Sequence, residues 1–283
     1  MTCLRITFCI ALLVVVAGTP RSAVYAQPDA AQSQDALPQD PLQLATEVGR
    51  YLFAYDQAAG RAATMLLSKE ASTEGVQASI ARQHEDGHWT VGFGRRTGGG
   101  GFRLMHEVVM NDDRLVDEVR AGVSERLPPE SYYARAARAQ RLVQENFDGE
   151  HGPYNFLVLP VGAEAGRMTV YAIPAQTDQN AYRLGGDYRF EVNPAAGEVV
   201  SREPLHKRYY EIGKRAQGTG GTAHEATRPV ETDVLFATVR RPAAPHFVMT
   251  QERTFRIAPD GTITPVDTRT ARQREDVRVL RGM

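Results

Sequence analysis

Two histidines and a glutamate lie close together in the segment His84-Glu85-Asp86-Gly87-His88 and match the spacing of a zinc-binding helix. On an α-helix, positions i and i+4 face the same way. His84 and His88 could then bind Zn²⁺ while Glu85 acts as the general base for a metal-bound water. A zinc-dependent, metallopeptidase-like hydrolase is therefore one functional hypothesis for this chain.

The residues around this segment favour a β-hairpin instead. Asp86-Gly87 is a preferred pair for a two-residue hairpin turn. Directly after it, Trp89, Val91 and Phe93 alternate with other residues, which is the period of a half-buried strand. The sequence thus predicts that the two histidines flank a turn.

A zinc site also needs at least a third protein ligand. The longer metzincin pattern fails, because Val91 stands where a glycine is required and Gly94 where a histidine is required. Glu107 could complete a site of the gluzincin kind, but it lies in a predicted strand. We therefore predict no cofactor, and keep zinc on His84 and His88 as the alternative.

Three other histidines lie within or on either side of the Gly- and Thr-rich loop of residues 213–227. His206, His224 and His246 could meet around this loop, with Asp233 as a further ligand. Sequence spacing does not establish such a meeting. Histidines that are hydrogen-bonded within the fold or exposed to solvent are the more common case.

Two glycine-rich segments, residues 98–101 and 218–221, have the composition of phosphate-binding loops. Neither is followed by Lys-Ser/Thr and neither opens a predicted helix, so both lack the parts of a P-loop. We interpret them as hairpin connections. Arg95 and Arg96 beside the first segment could hold an anion, although adjacent arginines are more often solvated.

Hydrophobic periodicity predicts the elements that would position these residues. Apolar residues recur every three or four positions over residues 41–68, which predicts one helix with Asp40 as its N-cap and Gln43 at the capping-box position. Gly60 inside it leaves open a break into two helices. A four-stranded meander follows, with strands predicted near residues 76–80, 89–93, 102–110 and 114–119.

The second half of the chain shows the same order with more strands. Residues 130–147 predict a helix. Strands are predicted near residues 154–160, 166–174, 187–193, 198–202, 232–240, 246–257 and 262–266. Helices laid on antiparallel sheet define the α+β class. We expect two main helices packed on antiparallel meander sheets, and a duplication of one α–β unit stays open.

One segment resembles a known family. Residues 188–199 have the sequence Tyr-Arg-Phe-Glu-Val-Asn-Pro-Ala-Ala-Gly-Glu-Val, an extended stretch that ends in an Asn-Pro-x-x-Gly turn and returns. This stretch resembles the hairpin of PepSY-type modules, which are secreted bacterial domains. The resemblance implies a small extracytoplasmic α+β module that binds or inhibits and has no catalytic centre, and it assigns no functional residue.

The N-terminus has the features of a secretory signal peptide. Arg5 precedes an apolar run of 12 residues, 6–17, and Val24-Tyr25-Ala26 provides small residues at the cleavage positions. The run is too short to span a bilayer, which needs about 20 residues. We expect cleavage after Ala26, a periplasmic or secreted protein, and no membrane span after processing. Both cysteines lie within this segment, so the mature chain would be cysteine-free.

Composition gives the remaining constraints. The chain is 42% apolar and 24% charged, which excludes a collagen-like or wholly disordered protein. The formal net charge of −1 disfavours a nucleic-acid binder, which would show a strongly basic face. The predicted organisation is a signal peptide at 1–26, a disordered leader at 27–39, two α–β parts at 40–127 and 128–267, and a basic tail at 268–283. The predicted function is non-enzymatic binding of a protein, a peptide or a cell-wall component.

Overall fold

The computed structural model describes residues 40–110, 118–160, 166–214, 220–223 and 227–266. In chain order the elements are α1 (Pro41–Ser68), β1 (Ala78–Gln83), β2 (Trp89–Arg96), β3 (Phe102–Met110), β4 (Glu118–Leu127), α2 (Tyr132–Asn146), β5 (Tyr154–Leu159), β6 (Met168–Pro174), β7 (Ala181–Gly185), β8 (Tyr188–Asn193), β9 (Glu198–Pro204), β10 (Tyr209–Gly213), β11 (Gly220–Ala223), α3 (Glu231–Val239), β12 (His246–Met249), β13 (Thr254–Ile257) and β14 (Ile263–Val266). Helices packed on largely antiparallel sheets confirm the α+β class.

The first helix is one continuous element. The side chain of Asp40 accepts a hydrogen bond from the Leu42 N–H at 2.9 Å, as expected of an N-cap. The capping box was predicted wrongly, because Gln43 donates to the Glu47 carboxylate at 3.1 Å, one turn further along the helix. The break that Gly60 left open does not occur, since α1 continues through it to Ser68 as the single predicted helix.

Two four-stranded antiparallel sheets form the centre of the protein, in the orders β1-β2-β3-β4 and β5-β6-β8-β9. Their edge strands β1 and β5 lie side by side. Two tyrosines from different helices meet at this seam. The Tyr55 hydroxyl of α1 accepts from the Ala81 N–H at 3.2 Å, and the Tyr132 hydroxyl of α2 lies 3.2 Å from the Ala81 carbonyl and 3.3 Å from that of Val158. Hydroxyl groups thus satisfy backbone groups at a sheet edge that would otherwise be buried without partners.

The helices α1 and α2 cover opposite faces of this layer. Successive residues of a strand point to opposite faces. On β2, Val91 and Phe93 pack in the same core cluster as α1. A side chain at Gly92, between them, would place its Cβ 2.7 Å from the Tyr133 ring of α2. The small residue at this position therefore lets α2 lie close to the sheet.

The helix α3 corrects a predicted strand at residues 232–240. Its first turn is closed by Asp233, whose carboxylate accepts from the Val230 N–H at 2.9 Å, and Glu231 adds a second acidic group where the helix dipole favours one. Most of α3 is buried, including Val234 and Ala237. The apolar run in its sequence covers only residues 234–237, and a run this short does not distinguish a helix from a strand.

Other strand predictions also need correction. The fourth strand is β4, at residues 118–127, and only overlaps the predicted strand at 114–119. The predicted strand at residues 246–257 is two strands, β12 and β13, joined by a turn in which the Thr250 N–H donates to the Arg253 carbonyl at 3.0 Å. The strands β7 and β10, which form a two-stranded sheet within the described ranges, were not predicted.

The sheet β11-β12-β13-β14 packs against α1 and α3. The Arg50 Nε of α1 donates to the Asp260 carbonyl at 2.7 Å and holds the predicted turn at Asp260-Gly261, which is confirmed. None of the helices in the described ranges is long and apolar enough to cross a membrane. The predicted signal peptide, leader and basic tail lie outside the described residues, as does most of the 213–227 loop.

Candidate functional site: a buried histidine between two aspartates

The His84–His88 segment is the turn of the β1–β2 hairpin. The His84 N–H donates to the His88 carbonyl at 2.8 Å, and the Gly87 N–H donates to the His84 carbonyl at 2.9 Å. Gly87 has a φ of 88°, in the left-handed region that glycine adopts without strain. The predicted hairpin is confirmed, with a turn of three residues, 85–87, in place of the predicted two, and the helix that the zinc hypothesis requires is absent from this segment.

The side chains at this turn are bonded within it. The rings of His84 and His88 stack in parallel with centroids 4.0 Å apart. The Nε2 atom of His84 lies 2.9 Å from the Thr90 hydroxyl, and Nδ1 of His88 bonds to the Asp86 carboxylate. Partial burial and the neighbouring His88 lower the pKa of His84.

The third zinc ligand considered from the sequence, Glu107, pairs with another residue. It lies on β3 opposite Gly92, away from the hairpin turn, and its carboxylate is 3.3 Å from the Arg120 guanidinium. Across the described ranges, no group of three or more His, Cys, Asp or Glu side chains has a geometry that could hold a metal ion.

A different histidine lies at the centre of a buried charged cluster. The Nδ1 atom of His206 lies 2.7 Å from Oδ1 of Asp187, and its Nε2 atom lies 3.0 Å from Oδ1 of Asp233. The three residues are only 8%, 2% and 0% exposed, respectively. We refer to them as the Asp-His-Asp cluster.

Three separate parts of the chain supply the Asp-His-Asp cluster. Asp187 directly precedes β8, His206 lies in the link between β9 and β10, and Asp233 lies in the first turn of α3. The Asp187 carbonyl also accepts from the Leu205 N–H at 3.0 Å, which brings the two links together next to the histidine. The cluster therefore joins the end of the central sheet to α3.

Both ring nitrogens of His206 face a carboxylate, and this determines its charge. A neutral imidazole can donate from only one nitrogen, whereas the imidazolium donates from both. Burial by itself would lower the pKa of His206, but the carboxylates of Asp187 and Asp233 outweigh it and raise the pKa well above its ordinary value. His206 is therefore cationic and bonded at both nitrogens.

A second carboxylate in α3 is bonded just as closely. The Tyr171 hydroxyl donates to Oε1 of Glu231 at 2.7 Å, and the Arg189 guanidinium donates to the same oxygen at 2.7 Å. Arg189 continues to the Glu203 carboxylate at 2.5 Å. Burial and the adjacent Glu231 raise the pKa of Tyr171 well above its ordinary value, so the hydroxyl keeps its proton and donates it.

Of the residues that could have met around the Gly- and Thr-rich loop, the structure brings together His206 and Asp233. His246 is fully buried, with Nε2 3.0 Å from the Thr222 hydroxyl and its ring packed on Phe236. His224 lies outside the described residues.

Asp187 was missed in the sequence because it had no distinguishing signal. It follows Gly185-Gly186 and directly precedes a strand. An aspartate in that position is typical of a turn. Only the tertiary structure brings it to the histidine 19 residues away along the chain.

The glycine-rich segment at residues 98–101 forms the β2–β3 turn, as predicted. The Thr97 N–H donates to the Gly101 carbonyl at 2.9 Å, and the Gly100 N–H donates to the Thr97 carbonyl at 3.3 Å. The second glycine-rich segment lies partly outside the described residues.

Comparison of the chain with protein-family models, with curated proteins and with solved structures finds no match. The hairpin predicted over residues 188–199 is present as β8 and β9, and its turn is closed by the Ala196 N–H, which donates to the Asn193 side chain at 3.1 Å. Such hairpins occur in unrelated sheets. The resemblance to PepSY-type modules therefore stays a hypothesis.

Proposed function

We propose that this chain is a periplasmic or secreted protein that binds a partner and catalyses no reaction on it. The partner is a protein, a peptide or a cell-wall component. The observation that supports the proposal is the Asp-His-Asp cluster, in which a histidine bonded to one aspartate, as a catalytic histidine is, is bonded to a second aspartate at its other ring nitrogen.

The chemistry of a catalytic histidine explains why this arrangement supports a structural role. A general base needs an accepting nitrogen within reach of the proton that it removes. In a Ser-His-Asp triad one nitrogen faces an aspartate and the other faces the nucleophile. In His206 the second nitrogen faces Asp233, whose other oxygen caps α3. The cluster thus fixes α3 against the sheet.

The outer strands of the central sheets offer surface for a partner. Every residue of β4 and of β9 is exposed or half-buried. Val123 and Val200 are large apolar side chains exposed on these strands, at 38% and 39%. Irregular register in both strands limits pairing with a further strand, so side chains are the better contact points.

A pull-down tests the proposal. The mature chain, residues 27–283, carrying a C-terminal tag, is incubated with an envelope extract of the producing cells, and bound material is identified by mass spectrometry. We expect one partner that an excess of untagged protein displaces. Steady turnover of a peptide or glycan substrate by the purified protein, abolished by Glu85→Gln, would instead support the hydrolase alternative.

A further inference from the structure

A shallow cavity of about 360 Å³ lies where the β2–β3 turn meets the end of β4. We call it the turn cavity. Its lining residues belong to two adjacent segments of the fold: Thr97, Gly98, Gly99, Gly101, Arg126, Leu127, Pro128 and Pro129. Its size is at the lower end of the range of ligand pockets, about 300–1,000 Å³, and suits one amino-acid residue.

One wall of the turn cavity has groups that suit an oxyanion. The Thr97 hydroxyl is buried and makes no hydrogen bond within the described residues. Arg126 also lines the cavity, and a guanidinium is the side-chain group best suited to bind a carboxylate. The N–H groups of Gly98 and Gly99 take no part in the two hydrogen bonds that close the turn. Turns with free N–H groups of this kind form anion-binding concavities.

A second arginine holds the two walls of the turn cavity together. The Arg138 guanidinium of α2 donates to the Gly100 carbonyl at 3.0 Å and to the Pro129 carbonyl at 3.0 Å. It thereby fixes the glycine turn relative to the proline segment and adds a positive charge behind the cavity. The nearest acidic residues in the sequence, Glu125 and Glu130, do not line it.

The other wall of the turn cavity is apolar. Leu127, Pro128 and Pro129 line it, and the two prolines are rigid. A site for an inorganic anion would be polar on all sides, because a bare phosphate or sulfate has no apolar surface to bury. A ligand that combines a carboxylate with an apolar group fits both walls.

We propose that the turn cavity binds the C-terminal residue of a peptide or protein partner. The terminal carboxylate lies towards Arg126, the Thr97 hydroxyl and the glycine N–H groups, and the apolar side chain of that residue lies against Leu127 and the prolines. Capture of a C-terminal carboxylate by backbone N–H groups is a known mode of peptide recognition. The inference rests on the proposed binding function and names the part of the partner that is bound.

Fluorescence anisotropy with the mature chain tests the proposal. The probes are pools of fluorescein-labelled hexapeptides, randomised at the first five positions and ending in Leu, Val or Phe, each made with a free carboxyl and with an amidated C-terminus. We expect the free-carboxyl pools to bind about tenfold or more tightly than the amidated pools, because amidation removes the charge that Arg126 recognises.

Two variants and one control separate the turn cavity from general charge effects. Arg126→Gln weakens the binding of the free-carboxyl pools about tenfold, and Thr97→Val weakens it about threefold. Arg95→Gln changes it less than about twofold, since this substitution removes the same charge from another strand of the same sheet, at a residue that does not line the cavity. Thermal unfolding of each variant confirms that it is folded.

Three results would overturn the proposal. These are no saturable binding of any pool, equal binding of the free-carboxyl and amidated pools, and displacement of the pools by inorganic phosphate at the concentration at which acetyl-leucine displaces them. The pull-down distinguishes this failure from that of the proposed function. A partner that Arg126→Gln captures as well as the unchanged protein would keep the binding function and place it at another surface.

Discussion

His206 and Asp187 are joined by a hydrogen bond of 2.7 Å between Nδ1 and Oδ1, and both residues are almost fully buried. With Asp233 on the other ring nitrogen, the histidine is held as a cation. Near neutral pH the folded chain keeps a proton on His206 that the unfolded chain releases. The free energy of unfolding therefore depends on pH.

The first prediction is that the free energy of unfolding falls as the pH rises above about 6.5, the ordinary pKa of histidine. Because the folded-state pKa of His206 is raised, the folded chain keeps a proton that the unfolded chain releases. The stabilisation is complete below the unfolded-state pKa and is lost as the pH passes through the raised folded-state pKa. The slope is at most about 1.4 kcal/mol per pH unit.

Urea unfolding at pH 6, 7, 8 and 9, followed by the fluorescence of the buried Trp89, measures this slope. In His206→Gln the slope attributable to residue 206 is absent, and the chain is destabilised by about 3–5 kcal/mol, because two buried carboxylates lose their cation. Asp187→Asn leaves His206 with one carboxylate, so we expect its free energy of unfolding to depend on pH less steeply than that of the wild type. A wild-type free energy that stays flat from pH 7 to 9 would show that His206 is neutral.

The second prediction concerns the hydrogen bond from Tyr171 to Glu231. Tyr171→Phe removes the hydroxyl and leaves a buried carboxylate with one partner fewer, which should cost about 1–3 kcal/mol of unfolding free energy. Tyr209→Phe is the matched control, since its hydroxyl also donates to a glutamate, at 2.9 Å, but near the surface. We expect it to cost less than about 0.5 kcal/mol. Equal losses in the two variants would contradict a special role for the α3 carboxylate.

The sequence predicted the elements with strong local signals. Asp40 and the long apolar stripe predicted α1, and the Asp86-Gly87 and Asp260-Gly261 pairs predicted their hairpins, because turn and cap chemistry act over a few residues. Where an element is buried on most sides, tertiary packing outweighs such local signals. The helix α3 packs on α1 and is buried nearly all round, so its sequence showed neither a helical period nor a strand period.

The candidate site was only partly predictable for the same reason. His206 and Asp233 were named as residues that could meet, and they do, but as partners in a hydrogen bond within the core. Asp187 completes the cluster through the pairing of β6, β8 and β9, which brings together links far apart in the chain. No local pattern indicates that pairing.

The third prediction compares two glycines of α1. At Gly49 an added Cβ would lie 2.5 Å from the Val234 Cβ and 2.5 Å from the Glu231 carbonyl, so α3 would have to move. We expect Gly49→Ala to lower the unfolding free energy by at least about 2 kcal/mol. At Gly60 nothing lies within 4 Å of the added Cβ, and Gly60→Ala should raise it by about 1 kcal/mol, the difference in helix propensity. Thermal and urea unfolding of both variants test this, and a stabilised Gly49→Ala would contradict the close packing of α1 on α3.

The fourth prediction is export with cleavage after Ala26. The short apolar segment and the small residues Val24 and Ala26 are the features that signal peptidase recognises. Mass spectrometry of the protein from the cell envelope should give an N-terminus at Gln27. Ala26→Glu, which places a charge at the cleavage position, should leave the precursor uncleaved. A membrane-bound form of the unchanged protein that retains Met1 would contradict the prediction.

The last prediction addresses zinc at the His84–His88 turn. His88 bonds to Asp86 and stacks on His84, in a hairpin that does not present the two rings as a helix would. We expect purified protein to contain less than about one-tenth of an equivalent of zinc, because a stable site needs further ligands and a supporting shell.

His88→Ala should change the unfolding free energy by no more than about 1 kcal/mol, as is usual for a partly exposed turn residue. Elemental analysis of the wild type and of this variant, both dialysed against the same zinc-containing buffer, gives the comparison. Stoichiometric zinc that disappears in His88→Ala would show that the hairpin binds the metal and would favour the metallopeptidase alternative over non-enzymatic binding.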